Sequence, residues 1–171
     1  MVKNQAERDN ILIIIAIFAL IFVNAFKDYR LLPDISGYVP AFKYIAKENS
    51  NFLDATNYYK MQWGYYALNK FIGFFSSNVH FFMGAMEAII CIPYFILFKR
   101  YSKSVAFSTI LYMMSWLQSS FVLRQYSAIA FCILSLMLYF DKKYKIAFLC
   151  FVFSVLIHPT AAIFILSLIL C

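Results

Sequence analysis

The sequence has little of what a soluble enzyme of its length requires. Only 13% of its 171 residues are charged, acidic side chains number 8, and glycine and cysteine occur 4 times each. Apolar residues make up 64% of the chain, and the mean hydropathy is +0.74. Because a soluble domain of this size could not bury so much apolar surface, we predict that the chain lies in a lipid bilayer.

The scarcity of glycine and cysteine excludes several kinds of site. The glycines form no glycine-rich loop for a bound phosphate. The cysteines lie in or beside apolar runs without a CxxC pair or a histidine at ligand spacing; they are Cys91, Cys132, Cys150 and Cys171. We therefore predict no disulfide, no metal ion and no cofactor. The net charge of +7 occurs in small clusters beside apolar runs, which favours anionic lipid over nucleic acid as a partner.

The apolar runs predict an all-α, polytopic helical membrane protein with about five transmembrane helices and one long extracytoplasmic loop. At a rise of roughly 1.5 Å per residue, about 20 helical residues cross a hydrocarbon layer of ~30 Å. The run 105–140 is almost twice too long for one crossing, so it is predicted to turn back within its polar stretch WLQSSFVLRQY. The predicted spans of this single integral membrane domain, 1–171, are 11–26, 79–98, 105–119, 121–140 and 146–170.

Basic clusters predict the orientation of the spans. KRYSK at 99–103 and DKKYK at 141–145 favour the cytoplasm, as does the basic N-terminus, so 27–78 becomes the outer loop. The first run has no convincing cleavage site and is predicted to be a retained anchor. Apolar residues at helical spacing in MQWGYYALNKFIGFF predict an amphipathic helix at the outer interface. The loop is expected to hold little globular core, and its many rings to form mostly an aromatic belt, with a minority that stack on sugars.

Polar residues suggest a shared site near the outer side of the bundle. Each later span has one face of small or polar residues, and these faces are predicted to converge so that Glu87, Arg124 and His158 meet. Each residue has a structural alternative. Arg124 would snorkel at a helix end, and Glu87 would only neutralise Arg124 or Lys70. The HPT at 158–160 would be a proline-softened turn whose free carbonyls bond to the imidazole or to Thr160.

Three segments resemble the EpsG/Wzy-type polymerase family of bacterial exopolysaccharide and O-antigen synthesis. In chain order they are PDISGYVPAFKYIAKEN, QWGYYALNKFIGFF and FVLRQYSAIAFCILSLMLYFDKKYKIAFLCFVFSVLIHPTAAIFI. The specific features are the RQ-x-x-A-I-A start of one helix, a basic turn and a late His in the next helix, together with Asp34 followed by Tyr38. The resemblance covers nearly the whole chain. It has two departures: Gln62 stands where such proteins usually carry an acidic residue, and such proteins are much longer, so this chain resembles an N-terminal half.

The resemblance implies polymerisation of lipid-linked repeat units by glycosyl transfer from undecaprenyl diphosphate at the outer face of the bacterial plasma membrane. Arg124 would steady the departing diphosphate, and His158, or Glu87 as second candidate, would act as base. The residues that would bind the sugar chain are Gln125, Tyr126, Asp34 and Tyr38. The partners would be the undecaprenyl-diphosphate-linked glycan, membrane lipid, and a flippase or chain-length regulator.

Two other functions stay open at this level. A transporter or flippase for lipid-linked glycan would also place Arg and Glu in a bundle, but it needs no base, so His158→Ala would be tolerated. A truncated, inactive membrane fragment or an assembly partner of a polymerase is the other alternative. A reading frame that continues past Cys171 would identify it.

Overall fold

A computed structural model describes residues 2–28, 33–47, 50–119 and 122–163, and every regular element in these ranges is helical. The side chains at 2–4, 33–34 and 116–119 lie outside the description. The α-helices of the described residues are α1 (Val2–Phe26), α2 (Pro33–Ile45), α3 (Phe52–Tyr59), α4 (Trp63–Phe75), α5 (Val79–Tyr101), α6 (Val105–Ser119), α7 (Leu123–Phe140) and α8 (Tyr144–Ile157). A 3-10 turn, Pro159–Ala162, follows α8. The predicted all-α class is confirmed.

Three helices in the described part are long and apolar enough to cross a membrane. They are the Gln5–Phe26 part of α1, all of α5 and all of α7, whereas α6 and α8 are apolar but shorter. The chain is therefore a multi-pass membrane protein. The long run divides as predicted, because α6 ends at Ser119 and α7 begins at Leu123.

The last predicted span differs from the structure. The helix predicted over 146–170 begins at Tyr144 and ends at Ile157, and 164–170 lie outside the described residues. His158 adopts extended backbone angles, φ −153° and ψ 124°. The cause is Pro159, whose ring excludes the helical conformation from the preceding residue and which has no N–H for the helix ladder.

The two ends of the helical bundle carry different groups. At one end, His80 Nδ1 at the start of α5 lies 2.7 Å from the carbonyl oxygen of Ala25 at the end of α1. The helices α2, α3 and α4 lie at this end, which we call the loop end. At the opposite, basic end, Arg100 near the end of α5 forms an ion pair with Asp141, which follows α7. Helices α5 and α7 therefore run in one direction, and α1 in the other.

The segment 27–78 corrects the expectation of little globular core. Buried side chains of α2, α4 and α5 form one apolar cluster, which includes Ile35, Val39, Phe42, Ile45, Tyr65, Leu68, Ile72, Phe82 and Met83. Within it, the rings of Phe42 and Phe82 stack with their centroids 4.2 Å apart. Helix α4 is amphipathic as predicted, but most of its predicted apolar face packs on protein. Phe75 is the exception, since the residue is 62% exposed.

Two glycines allow α4 to approach its neighbours closely. A Cβ atom at Gly64 would lie 2.5 Å from the backbone carbon of Leu156 and 2.6 Å from the nitrogen of Ile157, at the end of α8. At Gly73 it would lie 2.9 Å from the Cα of Ala46, after α2. Side chains do not fit at such distances, so the position of α4 across the loop end depends on glycine.

Candidate functional site

Arg124 lies in the first turn of α7 and contacts the segment that joins α3 to α4. Its Nη1 donates to the carbonyl oxygen of Lys60 and to Gln62 Oε1, each at 3.1 Å. Its Nε donates to Tyr38 Oη at 3.3 Å, and its Cζ lies 5.4 Å from the centroid of the Tyr38 ring. All of these partners are neutral. They fix the position of the guanidinium without cancelling its charge.

An unusual backbone conformation presents the Lys60 carbonyl to Arg124. Lys60 ends α3 in the left-handed region, with φ 50° and ψ 46°, and its N–H donates to Thr56 O. A residue with a side chain is disfavoured there by about 1–2 kcal/mol. This reversal buries Met61 and places Gln62 beside Arg124.

A cavity of about 380 Å³ opens beside the guanidinium. It is lined by Gly37, Tyr38, Ala41, Tyr58, Tyr59, Met61 and Arg124, and we call it the Arg124 cavity. The N-terminus of α7 adds positive potential, because Val122 caps it without a side-chain hydrogen bond and the first N–H groups of a helix carry partial positive charge. The chemistry of the cavity therefore suits an anion bound among aromatic rings.

The predicted sugar-binding residues have different positions. Tyr38 contacts Arg124 and also packs edge-on against Tyr65, with ring centroids 5.7 Å apart. Asp34 lies one turn earlier on α2, and its side chain is outside the described residues. Tyr126 packs against the apolar cluster and Gln125 is half-buried, and neither is among the described residues that line the Arg124 cavity.

His158 lies at the same end of the bundle, just beyond α8. Its Nδ1 is 2.7 Å from Thr160 Oγ1, and it accepts a longer hydrogen bond of 3.3 Å from the backbone N–H of Thr160. A turn at Pro159 is therefore present, but these described contacts of the imidazole are to Thr160 and not to a backbone carbonyl. Burial lowers the pKa of His158 below 6.5, and the positive charge of Arg124 lowers it further. His158 therefore lies within the electrostatic influence of Arg124.

The structure places Glu87 at the interface between α1 and α5. Its Oε2 accepts a hydrogen bond of 2.6 Å from Asn24 Nδ2, and both side chains are fully buried. Lys27, just after α1, interacts electrostatically with this carboxylate. Burial lowers the pKa of Lys27 to about 8, and the negative charge of Glu87 opposes that shift. One turn before Glu87, Gly84 faces Ala25. The polar face of α5 thus packs against α1. Glu87 is not among the described residues that Arg124 contacts.

A double-mutant cycle tests this interface. Glu87→Leu is expected to lower the free energy of unfolding by about 2–3 kcal/mol, because it leaves the buried Asn24 amide without its acceptor. Asn24→Leu should have a similar effect. In the double variant, the loss of unfolding free energy should be at least about 1 kcal/mol smaller than the sum of the two single losses. The reason is that neither polar side chain then remains to be buried without its partner. Thermal unfolding in detergent measures all four proteins, and strictly additive losses would contradict the contact.

Several residues of the site carried weak sequence signals. Gln62 stood out only as a departure from an acidic position, and Tyr58 and Tyr59 only as rings of an aromatic belt. Nothing in the sequence indicated that the backbone of Lys60 would be left-handed, because lysine has no preference for that conformation. The residue type of Lys60 does not indicate that its backbone carbonyl accepts a hydrogen bond from Arg124.

Comparison with known proteins gives one finding. The model of the EpsG family matches residues 10–171, which agrees with the resemblance seen in the sequence. No curated protein and no solved structure matches the chain.

Proposed function

Because the chain belongs to the EpsG family, whose members are membrane proteins of exopolysaccharide biosynthesis, we propose that it polymerises lipid-linked oligosaccharide repeat units. The observation that carries this proposal is the Arg124 guanidinium, held by neutral acceptors beside an aromatic cavity at the end of the bundle where His158 also lies. The donor would be a glycan on undecaprenyl diphosphate, and the acceptor a second lipid-linked glycan.

We place the loop end outside a bacterial plasma membrane and the N-terminus in the cytoplasm. The clusters KRYSK and DKKYK both lie at the basic end, which supports a cytoplasmic position for that end. Helix α6 begins at the basic end, where α5 ends. Helix α7 begins at the loop end and ends at the basic end. Helix α8 then runs from the basic end back to the loop end, where its last residues meet Gly64. This path amounts to about five crossings, with the Arg124 cavity on the outer face.

Glycosyl transfer at this position would use the groups as follows. The acceptor hydroxyl oxygen attacks the anomeric carbon of the donor, and the bond between that carbon and the diphosphate oxygen breaks. The electron pair leaves with the diphosphate, and the hydroxyl proton passes to His158. Inversion at the anomeric carbon follows from a single displacement. Arg124 and the N-terminus of α7 stabilise the charge that develops on the diphosphate.

His158 fits the base because its surroundings favour the neutral imidazole. Nδ1 lies 2.7 Å from Thr160 Oγ1 and 3.3 Å from the Thr160 backbone nitrogen. In the tautomer with the proton on Nδ1, Nδ1–H donates to Thr160 Oγ1, the longer bond from the backbone N–H is given up, and the lone pair of Nε2 is available to accept a proton. The Thr160 hydroxyl is then a positioning group that favours this tautomer. Glu87 is the second candidate, and Glu87→Gln separates the two: polymer of normal length from that variant would leave the role to His158.

The activity is expected to fall at acidic pH with a midpoint below 6.5. The reaction needs neutral His158, and both burial and Arg124 lower its pKa. Activity is therefore fully present above the ordinary pKa of histidine and is lost as the pH falls through the lowered one. Proteoliposomes supplied with lipid-linked repeat units at pH 4.5 to 8 provide the measurement. A midpoint above 6.5 would contradict this assignment.

The proposal as a whole is tested in a strain that lacks this gene. The strain is complemented with the chain or with its His158→Ala variant, and glycan length is read on a gel. We expect long chains from the former and single repeat units from the latter. Long chains from both would favour transport of the lipid-linked glycan, because a transporter needs no base.

A further inference from the structure

A second cavity opens next to the Arg124 cavity. It has a volume of about 510 Å³ and is lined by Tyr44, Asp54, Asn57, Tyr58 and Tyr59. Two of these residues, Tyr58 and Tyr59, also line the Arg124 cavity. The two cavities are therefore neighbours that share a wall of tyrosine rings. We call the second one the tyrosine cavity.

The rings of the tyrosine cavity support one another. Tyr58 and Tyr59 meet edge-to-face with centroids 5.0 Å apart, and Tyr44 lies 5.9 Å from Tyr59. Tyr58 is nevertheless 82% exposed. Its position is set by the short helix α3, which Asn51 caps by accepting a hydrogen bond from the N–H of Asp54. An exposed ring on a capped helix can offer its face to a ligand with little loss of side-chain freedom.

Polar groups of the same cavity have unused hydrogen-bonding capacity. Tyr44 Oη donates to Asp54 Oδ2 at 3.1 Å. Among the described residues, Asp54 Oδ1 and the side-chain amide of Asn57 have no further partner. A carboxylate accepts hydrogen bonds, and an amide both donates and accepts them. An aromatic belt at a membrane surface would explain the rings, but it would not explain these polar groups beside them.

This combination matches the chemistry of a sugar. A pyranose presents an apolar C–H face, which packs on an aromatic ring, and hydroxyl groups, which both donate and accept hydrogen bonds. The Asp54 carboxylate repels phosphate, so the anionic end of a lipid-linked glycan suits the Arg124 cavity and not this one. The two cavities therefore favour different parts of one substrate.

We propose that the tyrosine cavity is a carbohydrate subsite, which holds sugars of a glycan chain beyond those that react beside Arg124. This inference rests on the proposed function. Tyr58 packs on the sugar face, and Asp54 and Asn57 bond to hydroxyl groups. Such a subsite retains a growing chain between additions, so it raises the length of the product.

Binding of lipid-free glycan tests the subsite directly. The probe is polysaccharide from a strain with an intact copy of this gene, released from its lipid by mild acid, and the protein is the full chain in nanodiscs. We expect the Asn57→Ala/Tyr58→Ala variant to bind this glycan about tenfold more weakly than the wild type. Both substitutions favour helix, so α3 should remain folded. The matched control is Tyr144→Ala, which removes an exposed tyrosine at the basic end and should leave binding unchanged.

The outcomes separate this inference from the proposed function. In cells, Asn57→Ala alone, which does not alter the lining of the Arg124 cavity, should still polymerise but should yield shorter chains. Undetectable binding by the wild type, or equal binding by the double variant, would overturn the subsite. Arg124→Ala in the polymerisation assay decides the proposed function independently, because that assay requires the diphosphate and the binding assay contains none.

Discussion

Replacing Arg124 by alanine is expected to lower polymer formation by about 100- to 1000-fold, the usual effect of removing one group that stabilises developing charge. Lysine at this position should restore little, and we expect a loss of about tenfold or more. An ammonium group is a point charge on a flexible stem. Its three donors cannot contact Lys60 O, Gln62 Oε1 and Tyr38 Oη and also bind a diphosphate, whereas the same three contacts leave both N–H groups of Arg124 Nη2 to donate to it.

The matched control is another arginine in the same chain. Arg100 forms an exposed ion pair with Asp141 at the basic end. Such exposed pairs contribute little to stability, so Arg100→Ala should retain polymer formation within about twofold. Glycan length on a gel and the rate in proteoliposomes measure both variants. Long polymer from a well-expressed Arg124→Ala protein would refute the diphosphate role.

Stability has to be measured beside activity, because Arg124 also holds the segment between α3 and α4. Loss of its hydrogen bonds frees the Lys60 carbonyl and the Gln62 side chain. If the inactivity of Arg124→Ala came only from this loosening, Gln62→Leu would reduce polymer formation nearly as much. We expect Gln62→Leu to reduce it by less than about tenfold, since the charge remains in place.

Much of the bundle could be predicted because lipid thickness limits helix length. A run such as 105–140 exceeds one crossing, and its only polar stretch is where α6 ends and α7 begins. The packing of α4 could not be predicted in the same way. A face formed by Tyr65, Leu68 and Ile72 fits lipid and protein equally well, and only the tertiary structure shows that it is buried.

The site was partly predictable for a related reason. Counting crossings puts Arg124 at the start of one helix and His158 in the outer half of the next, and in the structure Arg124 and the end of α8 both lie beside the start of α4. Helical periodicity identified the polar face of α5 but not the helix that this face contacts. In the structure this face contacts α1, where Glu87 accepts a hydrogen bond from Asn24. The two residues are 63 positions apart in the chain, so helical periodicity could not identify the pair.

Replacing Gly64 by alanine is expected to destabilise the protein by about 3 kcal/mol or more. The new Cβ atom would lie 2.5–2.8 Å from backbone atoms of Leu156 and Ile157, and backbone cannot rotate away as a side chain can. For a chain of this length, such a loss corresponds to a fall in Tm of roughly 6–12 °C. Thermal unfolding in detergent or nanodiscs measures the change.

Gly37→Ala is the matched control, because it makes the same chemical change inside helix α2, where a Cβ atom would meet nothing within 4 Å. Alanine is the better helix former, so this variant should be stabilised by up to about 1 kcal/mol. Opposite signs for the two variants would show that Gly64 is required for contact and not for backbone flexibility. Since Gly64 holds α4 against the residues just before His158, its replacement should also separate His158 from Arg124 and reduce polymer formation. A Gly64→Ala protein that equals the wild type in both Tm and polymer length would contradict the close crossing of α4 and α8.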